Sequence, residues 1–540
     1  MRVIMILIAG AIAAGGNAVG DDVHPLRETI DTEIGAAWQR NQIEPAPQSS
    51  DSEFLRRIYL DLIGAIPTYD ETVQFLADTS PDKSQKLIDS LLERPEYARH
   101  QADIWDLILF GRNPPGYDTD KRDGIQRWLN EKFASNRPYK EWVRELLRAE
   151  GNSVEHGPPV YLMQYRNQPE DASEAISQTF LGVQLQCARC HDHPFEPWTQ
   201  LDFYGMAAFF ARLNVVTVGK KENLTQYAIG EKSTGDVLFT GPAKDQQPGK
   251  KGEPVKPKFL LEQPLIEPPL PEGFNEVKFE NNKPPPPPAF SRKDQLADWI
   301  TGESNPFFAQ AIANRLWAQF MGRGLVHPVD NMSPSNKPSH PELLAALTAG
   351  LKDHQFDLKW YIRELVSSRT YQLSSGQESS DPQPLWFEHA RWRPLSAEEL
   401  VESWRIATGF ETSEKGKDAG KKQSRFRPLS DSYVLRFFGQ PNNGTGDFQG
   451  GLAEHLYLNN GQLGSLIVTS PGSLLDVVSK KEMPAEDKVD RLFLQMLNRP
   501  PTSEERRKFA EALTAEADPQ ERLRDAIWAV MTCSEFRFNK

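Results

Sequence analysis

The sequence predicts a mainly α-helical protein, with two helical domains joined by a small β element and a Pro-rich connector. Three observations support this fold class. Apolar residues recur three or four positions apart in long stretches of both halves, a spacing that places them on one face of a helix. Ser or Thr precedes Glu by three residues where several of these stretches begin. Short strand-like runs are concentrated in one central segment.

The first predicted helical domain covers residues 21–212. Within it, Phe54, Ile58 and Leu62 are spaced to share one face of a helix. A later helix is expected over residues 169–185, because this stretch opens with proline and two acidic residues, which are typical of a helix N-terminus. That helix leads directly to the most distinctive motif of the chain.

Ser/Thr-x-x-Glu pairs predict the N-termini of other helices. In such a pair the hydroxyl and the carboxylate each accept a backbone hydrogen bond that the first turn leaves unmade. The pairs are Thr68 with Glu71, Ser396 with Glu399, and Thr502 with Glu505. The last two lie in the second predicted helical domain, residues 291–540.

Residues 213–290 separate the two predicted domains. They begin with short strand-like runs at residues 214–218, 226–229 and 236–240, which predict a small β element. The stretch 241–288 is rich in Pro, Lys and Gly and predicts a stiff, extended connector. A chain of 540 residues exceeds what one hydrophobic core usually organises, so we expect at least two domains. The Pro-rich connector is where we expect the boundary between them.

The composition favours a soluble globular protein and excludes one class of partner. Hydrophobic residues make up 38% of the chain and charged residues 25%, which is ordinary for globular proteins. The net charge of -13 repels phosphate backbones, and no basic patch is evident. We therefore expect no nucleic-acid partner.

The first 20 residues have the pattern of a signal peptide. A positively charged start precedes an apolar run over residues 3–14, and small residues follow it. The run is short for a bilayer span, so we expect cleavage and export, leaving a periplasmic or secreted chain without a membrane span. An uncleaved N-terminal anchor is the alternative.

Two of the three cysteines stand in a Cys-x-x-Cys-His motif formed by Cys187, Cys190 and His191. Two thiols at this spacing can meet the two vinyl groups of a haem, and the adjacent imidazole can ligate the iron. The motif therefore predicts c-type haem binding, with His191 as the proximal ligand. Three cysteines are too few for a disulfide framework, and Cys533 is expected to be a small buried hydrophobe.

The same residues fit other chemistries. Cys187 and Cys190 fit a local disulfide or dithiol. With His191 and His193 they also offer ligands of the kind that bind zinc, although not in the usual paired spacing. These alternatives give a structural or interaction protein with zinc or no cofactor.

Met206 is the candidate for the second axial ligand of a haem iron. Its helical spacing to Phe203, Phe209 and Phe210 instead predicts a core side chain. Both interpretations remain open at the level of sequence.

Residues around this motif resemble a known family. The runs 178–195, 198–200 and 202–205, together with 54–64 upstream, resemble the planctomycete cytochrome-c-like domain of unknown function 1549. The second half is similar to the planctomycete-specific domain of unknown function 1553 that usually follows it. The matching runs there are 305–309, 314–317, 322–326, 338–344 and 368–371.

The resemblance implies an exported protein with a cytochrome-like motif and no assigned activity. It also implies an exported sulfatase-like partner encoded nearby, and so a link to polysaccharide breakdown. The chain contains no Gly-x-Ser-x-Gly, His-Glu-x-x-His or phosphate-loop motif, so the sequence predicts no catalytic residue and leaves enzymatic activity open.

Overall fold

The computed structural model describes residues 25–111, 119–152, 157–221, 224–239, 241, 252–281, 283, 285–376, 385–409, 456, 458, 462–515 and 518–540. The predicted signal peptide, residues 1–20, and residues 242–251 of the predicted connector lie outside the described residues.

Twenty α-helices lie within these ranges, which confirms the prediction of a mainly α-helical fold. The first ten are α1 (Leu26–Asn41), α2 (Asp51–Ile63), α3 (Tyr69–Ala77), α4 (Lys83–Leu92), α5 (Pro95–Phe110), α6 (Thr119–Ala134), α7 (Tyr139–Arg148), α8 (Pro159–Met163), α9 (Pro169–Ile176) and α10 (Gln200–Ala207). The others are α11 (Arg292–Ile300), α12 (Phe308–Met321), α13 (Pro341–Asp353), α14 (Leu358–Ser367), α15 (Ala397–Thr408), α16 (Leu474–Val478), α17 (Ala485–Met496), α18 (Ser503–Thr514), α19 (Pro519–Thr532) and α20 (Ser534–Arg537).

The three predicted capping boxes are confirmed. Thr68, Ser396 and Thr502 each accept a hydrogen bond from the backbone three residues later, at the starts of α3, α15 and α18. In each case the glutamate at that third position accepts from the backbone of the capping residue. These helix starts are determined by four consecutive residues, which is why the sequence predicts them well.

Among the residues that the structure describes, seven short strands form three small sheets. They are β1 (Gly151–Asn152), β2 (Leu213–Lys221), β3 (Leu224–Glu231), β4 (Val237–Phe239), β5 (Glu253–Val255), β6 (Arg393–Pro394) and β7 (Phe538–Asn539). The largest sheet has the antiparallel order β1-β3-β2, and a bulge between Thr217 and Gly219 interrupts its register. β4 pairs with β5, and β6 pairs with β7.

The larger hydrophobic core contains residues between Leu26 and Phe387, so it continues across the proline-rich segment. α11 packs against α7, and α1 packs against α13 and α14. Tyr139 at the start of α7 stacks on Phe308 at the start of α12, with 5.0 Å between the ring centroids. Aromatic side chains thus join helices on either side of the connector.

Part of the proline-rich segment takes part in this core. Leu260 is buried, and Phe259 stacks between Phe209 and Trp299 with centroid distances of 4.8 and 5.2 Å. Glu231 in β3 accepts from the side chain of Ser291, which lies immediately before α11. These contacts fix the small β element against helices from both halves.

A second, smaller core is formed mainly by described residues between Leu395 and Phe536, with Leu60 and Ile66 from the first half. α3 packs on α17 across this boundary. Within the part of the chain that the structure describes, no helix has both the length and the apolar character needed to cross a bilayer.

Candidate functional site

The Cys-x-x-Cys-His motif lies on a short turn that follows a helix. α9 begins at Pro169, as predicted, and continues into the π-helix Ser177–Leu181. The helical segment ends earlier than predicted, because Gly182 adopts a left-handed conformation with φ of 66°. The 3₁₀-helix Gln186–Arg189 then carries the first cysteine, and Cys190 follows it.

The two cysteines share one side of this turn. The backbone N–H of Cys190 donates to the carbonyl of Cys187 at 3.4 Å, and positions three apart in a 3₁₀ turn lie one above the other. Both side chains are exposed, and neither cysteine forms a disulfide. Ala188 between them is fully buried. The turn is therefore anchored in the core while both thiols face solvent.

Arg189 ties the turn to the helices on either side. Its carbonyl accepts hydrogen bonds from Gln200 Nε2 at 3.3 Å and from Tyr204 Oη at 3.2 Å, both on α10. Its guanidinium pairs with Asp171 on α9 at 2.8 Å. This arrangement holds the backbone of the motif between two helices.

The start of α10 is fixed by its own capping box, which the sequence analysis did not identify. Thr199 and Asp202 exchange the capping hydrogen bonds, and Asp192 Oδ1 accepts from the backbone N–H of Gln200 at 2.8 Å. Burial opposes ionisation of Asp202, but hydrogen bonds from Lys258 and Thr199 lower the pKa of its carboxyl below the usual value. The ionised carboxylate of Asp202 thus helps to fix the start of α10. There the backbone N–H of Gln200 holds the side chain of Asp192, the residue that follows His191.

His191 is exposed, and its Nδ1 lies 2.8 Å from the carbonyl oxygen of Asp192. A carbonyl oxygen only accepts, so this contact assigns the ring proton to Nδ1. In the neutral ring Nε2 then carries a lone pair. This is the tautomer and the type of support that metal-ligating histidines usually have.

The ring of His193 has the opposite tautomer to that of His191. Its Nδ1 accepts backbone N–H groups from Glu196 at 3.0 Å and from Phe195 at 3.3 Å, so Nδ1 is unprotonated and the proton lies on Nε2. Its own backbone N–H donates to the carbonyl of Trp198 at 2.8 Å. His193 therefore shapes the loop after the motif and offers no free lone pair in its neutral form.

Met206 lies in α10 and is fully buried in the larger core, together with Phe203 and Phe209. His191 is at the surface. The structure thus places the candidate second axial ligand inside the core and the candidate proximal ligand in solvent.

Among the described residues, no group of three or more His, Cys, Asp and Glu side chains is arranged to hold a metal ion. This includes the set Cys187, Cys190, His191 and His193. The two cysteines and the two histidines are near one another in sequence without forming a ligand cage.

The second half of the chain contacts the residues on either side of the motif. The backbone N–H of Met332 donates to the carbonyl of Gly182 at 2.7 Å, and Gln184 Nε2 donates to Asp330 Oδ1 at 3.1 Å. Other contacts reach the loop after the motif: Ser335 donates to Glu196, and the ring of Trp198 meets that of Phe307 edge-on at 6.3 Å. Sequence reasoning missed these supporting residues, since no local pattern relates them to the cysteines.

The fold and the site together define a mainly α-helical protein with an exposed Cys-x-x-Cys-His turn supported from both halves. Residues 29–215 match the family model PSCyt2, described as a protein of unknown function (DUF1549). Residues 292–447 match PSD1, described as a protein of unknown function (DUF1553). The chain therefore carries a DUF1549 domain followed by a DUF1553 domain, which confirms the resemblance. No curated protein and no solved structure matched the chain.

Proposed function

We propose that this protein binds one haem covalently through Cys187 and Cys190, with His191 Nε2 as axial ligand, and that it acts as an exported electron carrier. Each thiol would add across one vinyl group, with its hydrogen going to the neighbouring vinyl carbon, so attachment would exchange no electrons. When bound, the haem supplies one-electron redox chemistry.

The hydrogen bond between His191 Nδ1 and the carbonyl of Asp192 carries the proposal. It orients the imidazole and leaves Nε2 with the lone pair that an iron ligand needs. A histidine without this support would sample both tautomers, and one of them would present a proton to the metal.

The two thiols meet the chemical requirements for attachment. Both are exposed and free, and they lie on the same side of one 3₁₀ turn. The buried Ala188 and the hydrogen-bonded carbonyl of Arg189 keep that turn in place. These features of the turn support a covalently held haem.

The proposal includes export, because bacterial haem attachment takes place outside the cytoplasm and residues 1–20 have the pattern of a signal peptide. The family resemblance adds a link to polysaccharide breakdown, with an exported sulfatase-like protein as the expected neighbour. Both remain predictions.

The decisive experiment expresses the full chain, with its own leader, in bacteria that contain haem-attachment machinery. We expect haem staining after denaturing electrophoresis and an intact mass that corresponds to one added haem. The double variant C187A/C190A should lose both signals, whereas the matched control Cys533→Ala should keep them. A wild-type chain without covalent haem, made in cells that mature a known c-type cytochrome, would refute the proposal.

The exposed thiols also favour a second candidate, a dithiol carrier. Here Cys187 and Cys190 pass two electrons and two protons to a partner disulfide and form their own disulfide. The same mass measurement separates the candidates, because this one gives no haem and, after oxidation by a disulfide, a mass lower by two hydrogens.

A further inference from the structure

Two large apolar side chains stand exposed beside the motif. Phe195 is 82% exposed and Leu201 is 54% exposed. Leu201 directly follows Gln200, whose backbone N–H binds the side chain of Asp192, the neighbour of His191. Phe195 follows His193 by two residues and donates its backbone N–H to the His193 ring. Both residues therefore lie on segments that are hydrogen-bonded to the loop carrying the two histidines.

Hydrogen bonds fix the backbone of the loop that carries Phe195. Its backbone is closed by the hydrogen bond from His193 to the carbonyl of Trp198, and His193 Nδ1 accepts from the backbone N–H groups of Phe195 and Glu196. Trp198, in the same loop, is buried against Phe307. The loop thus buries one aromatic side chain and presents the other in a fixed backbone conformation.

A single exposed apolar residue is common on protein surfaces, but two large exposed apolar side chains on segments hydrogen-bonded to the residues of an attachment turn favour an apolar partner that stays bound at that turn. A porphyrin is flat and apolar, and two thioether bonds would keep it within reach. Resting on the proposed function, we infer that Phe195 and Leu201 form the apolar surface on which a haem attached at Cys187 and Cys190 lies.

This surface has a defined role, which is to exclude water from one side of the porphyrin. Removal of water around a haem favours the less charged, reduced iron, so loss of the surface should lower the reduction potential. The same contacts bury apolar area only in the haem-loaded protein, so they should stabilise that form alone.

The test compares the double variant F195A/L201A with the wild-type chain, each prepared with and without haem attachment. The matched control V73A/I266A shortens two other exposed apolar side chains, one on α3 and one in the proline-rich segment. We expect unchanged melting of the haem-free protein and unchanged haem content for both double variants. In F195A/L201A, the rise in melting temperature on haem attachment should fall by about half, and the reduction potential should become more negative.

The outcomes separate the two proposals. If F195A/L201A carries covalent haem and matches the control in melting temperature and reduction potential, Phe195 and Leu201 do not contact the haem. The proposal of haem attachment then still stands. If the wild-type chain attaches no haem, both are wrong. If only F195A/L201A shows the smaller rise in melting temperature and the more negative reduction potential, the contact of Phe195 and Leu201 with the haem is confirmed.

Discussion

Met332 donates its backbone N–H to the carbonyl of Gly182 across 2.7 Å, which joins the second half of the chain to the residue that ends the helix before the cysteines. A Cβ on Gly182 would lie 3.2 Å from both Cγ and Sδ of Met332. Gly182 also adopts a left-handed conformation. The approach of the two halves and the direction of the turn therefore depend on the same glycine.

The substitution Gly182→Ala should lower the free energy of unfolding by about 1–2 kcal/mol, because an L-residue is strained at this positive φ. The contact with Met332 should add to this cost. Chemical denaturation of the variant measures the loss. Gly273→Ala is the matched control, since Gly273 has φ of 75° and a Cβ added to it would meet no atom within 4 Å. Equal losses for the two variants would show that the approach of Met332 contributes nothing.

The sequence predicts local features of this fold, such as the starts of helices. It does not predict the long-range contacts that hold the Cys-x-x-Cys-His turn in place. Thr68 with Glu71 predicts a helix start because both partners of the capping hydrogen bonds lie within four residues. The start of α9 at Pro169 is predicted from other local features, a proline followed by Glu170 and Asp171, and no side chain caps it. The early end of that helical segment depends on one glycine, whose conformation the helical spacing of its neighbours does not reveal.

Some residues around the site could not be predicted from the sequence because long-range packing brings them there. Asp330 contacts Gln184 before the motif, and Phe307 contacts Trp198 after it, because the larger core brings the two halves together. The different tautomers of His191 and His193 arise from contacts with backbone groups, and the residue types alone give no sign of them. The Cys-x-x-Cys-His spacing identifies the attachment residues, while the fold decides which histidine has a free nitrogen.

The two histidines should respond differently to substitution. H191Q should lose the spectrum of a histidine-ligated haem, or the haem itself, because it removes the available Nε2. H193A should keep that spectrum. It should lower stability by about 1 kcal/mol, since two backbone N–H groups lose their acceptor. Visible spectroscopy and thermal melting provide the two readouts. Loss of histidine ligation in H193A with retention in H191Q would reverse the assignment.

A buried ionic cluster joins the two cores and should be sensitive to removal of its cation. Arg393 bridges Asp61 at 2.8 Å and Glu399 at 2.7 Å, and both carboxylates are almost completely buried. Arg393→Met leaves both of them without the cation. We expect a loss of about 3–5 kcal/mol in the free energy of unfolding.

The matched control is Arg507→Met, which breaks the exposed pair with Glu511 on α18. Exposed pairs of this kind contribute about 0–1 kcal/mol. Denaturant titration of the two variants at neutral pH tests the contrast. A cost for Arg393→Met no larger than that of the control would mean that the protein hydrates or protonates the two carboxylates without strain.

The stability of the second core should fall in acid through a pair of glutamates that share Arg499. Hydrogen bonding to Arg499 lowers the pKa of Glu505 to about 2. Burial opposes ionisation of Glu535, but hydrogen bonds from Arg499 and Lys540 lower its pKa to about 2 as well. The unfolded chain has the usual value of 4.5 for each group.

Because both folded pKa values lie below the unfolded value, the unfolded chain takes up protons first as the pH falls. Their stabilisation is fully present above pH 4.5 and is lost progressively towards pH 2. Arg499→Met should therefore unfold more easily than the wild-type chain at pH 7, and the difference should shrink through that window. Denaturant midpoints measured across the pH range test this. A difference between the two chains that stays constant from pH 7 to pH 2 would show that Arg499 stabilises the core by packing against Phe493 rather than by its charge.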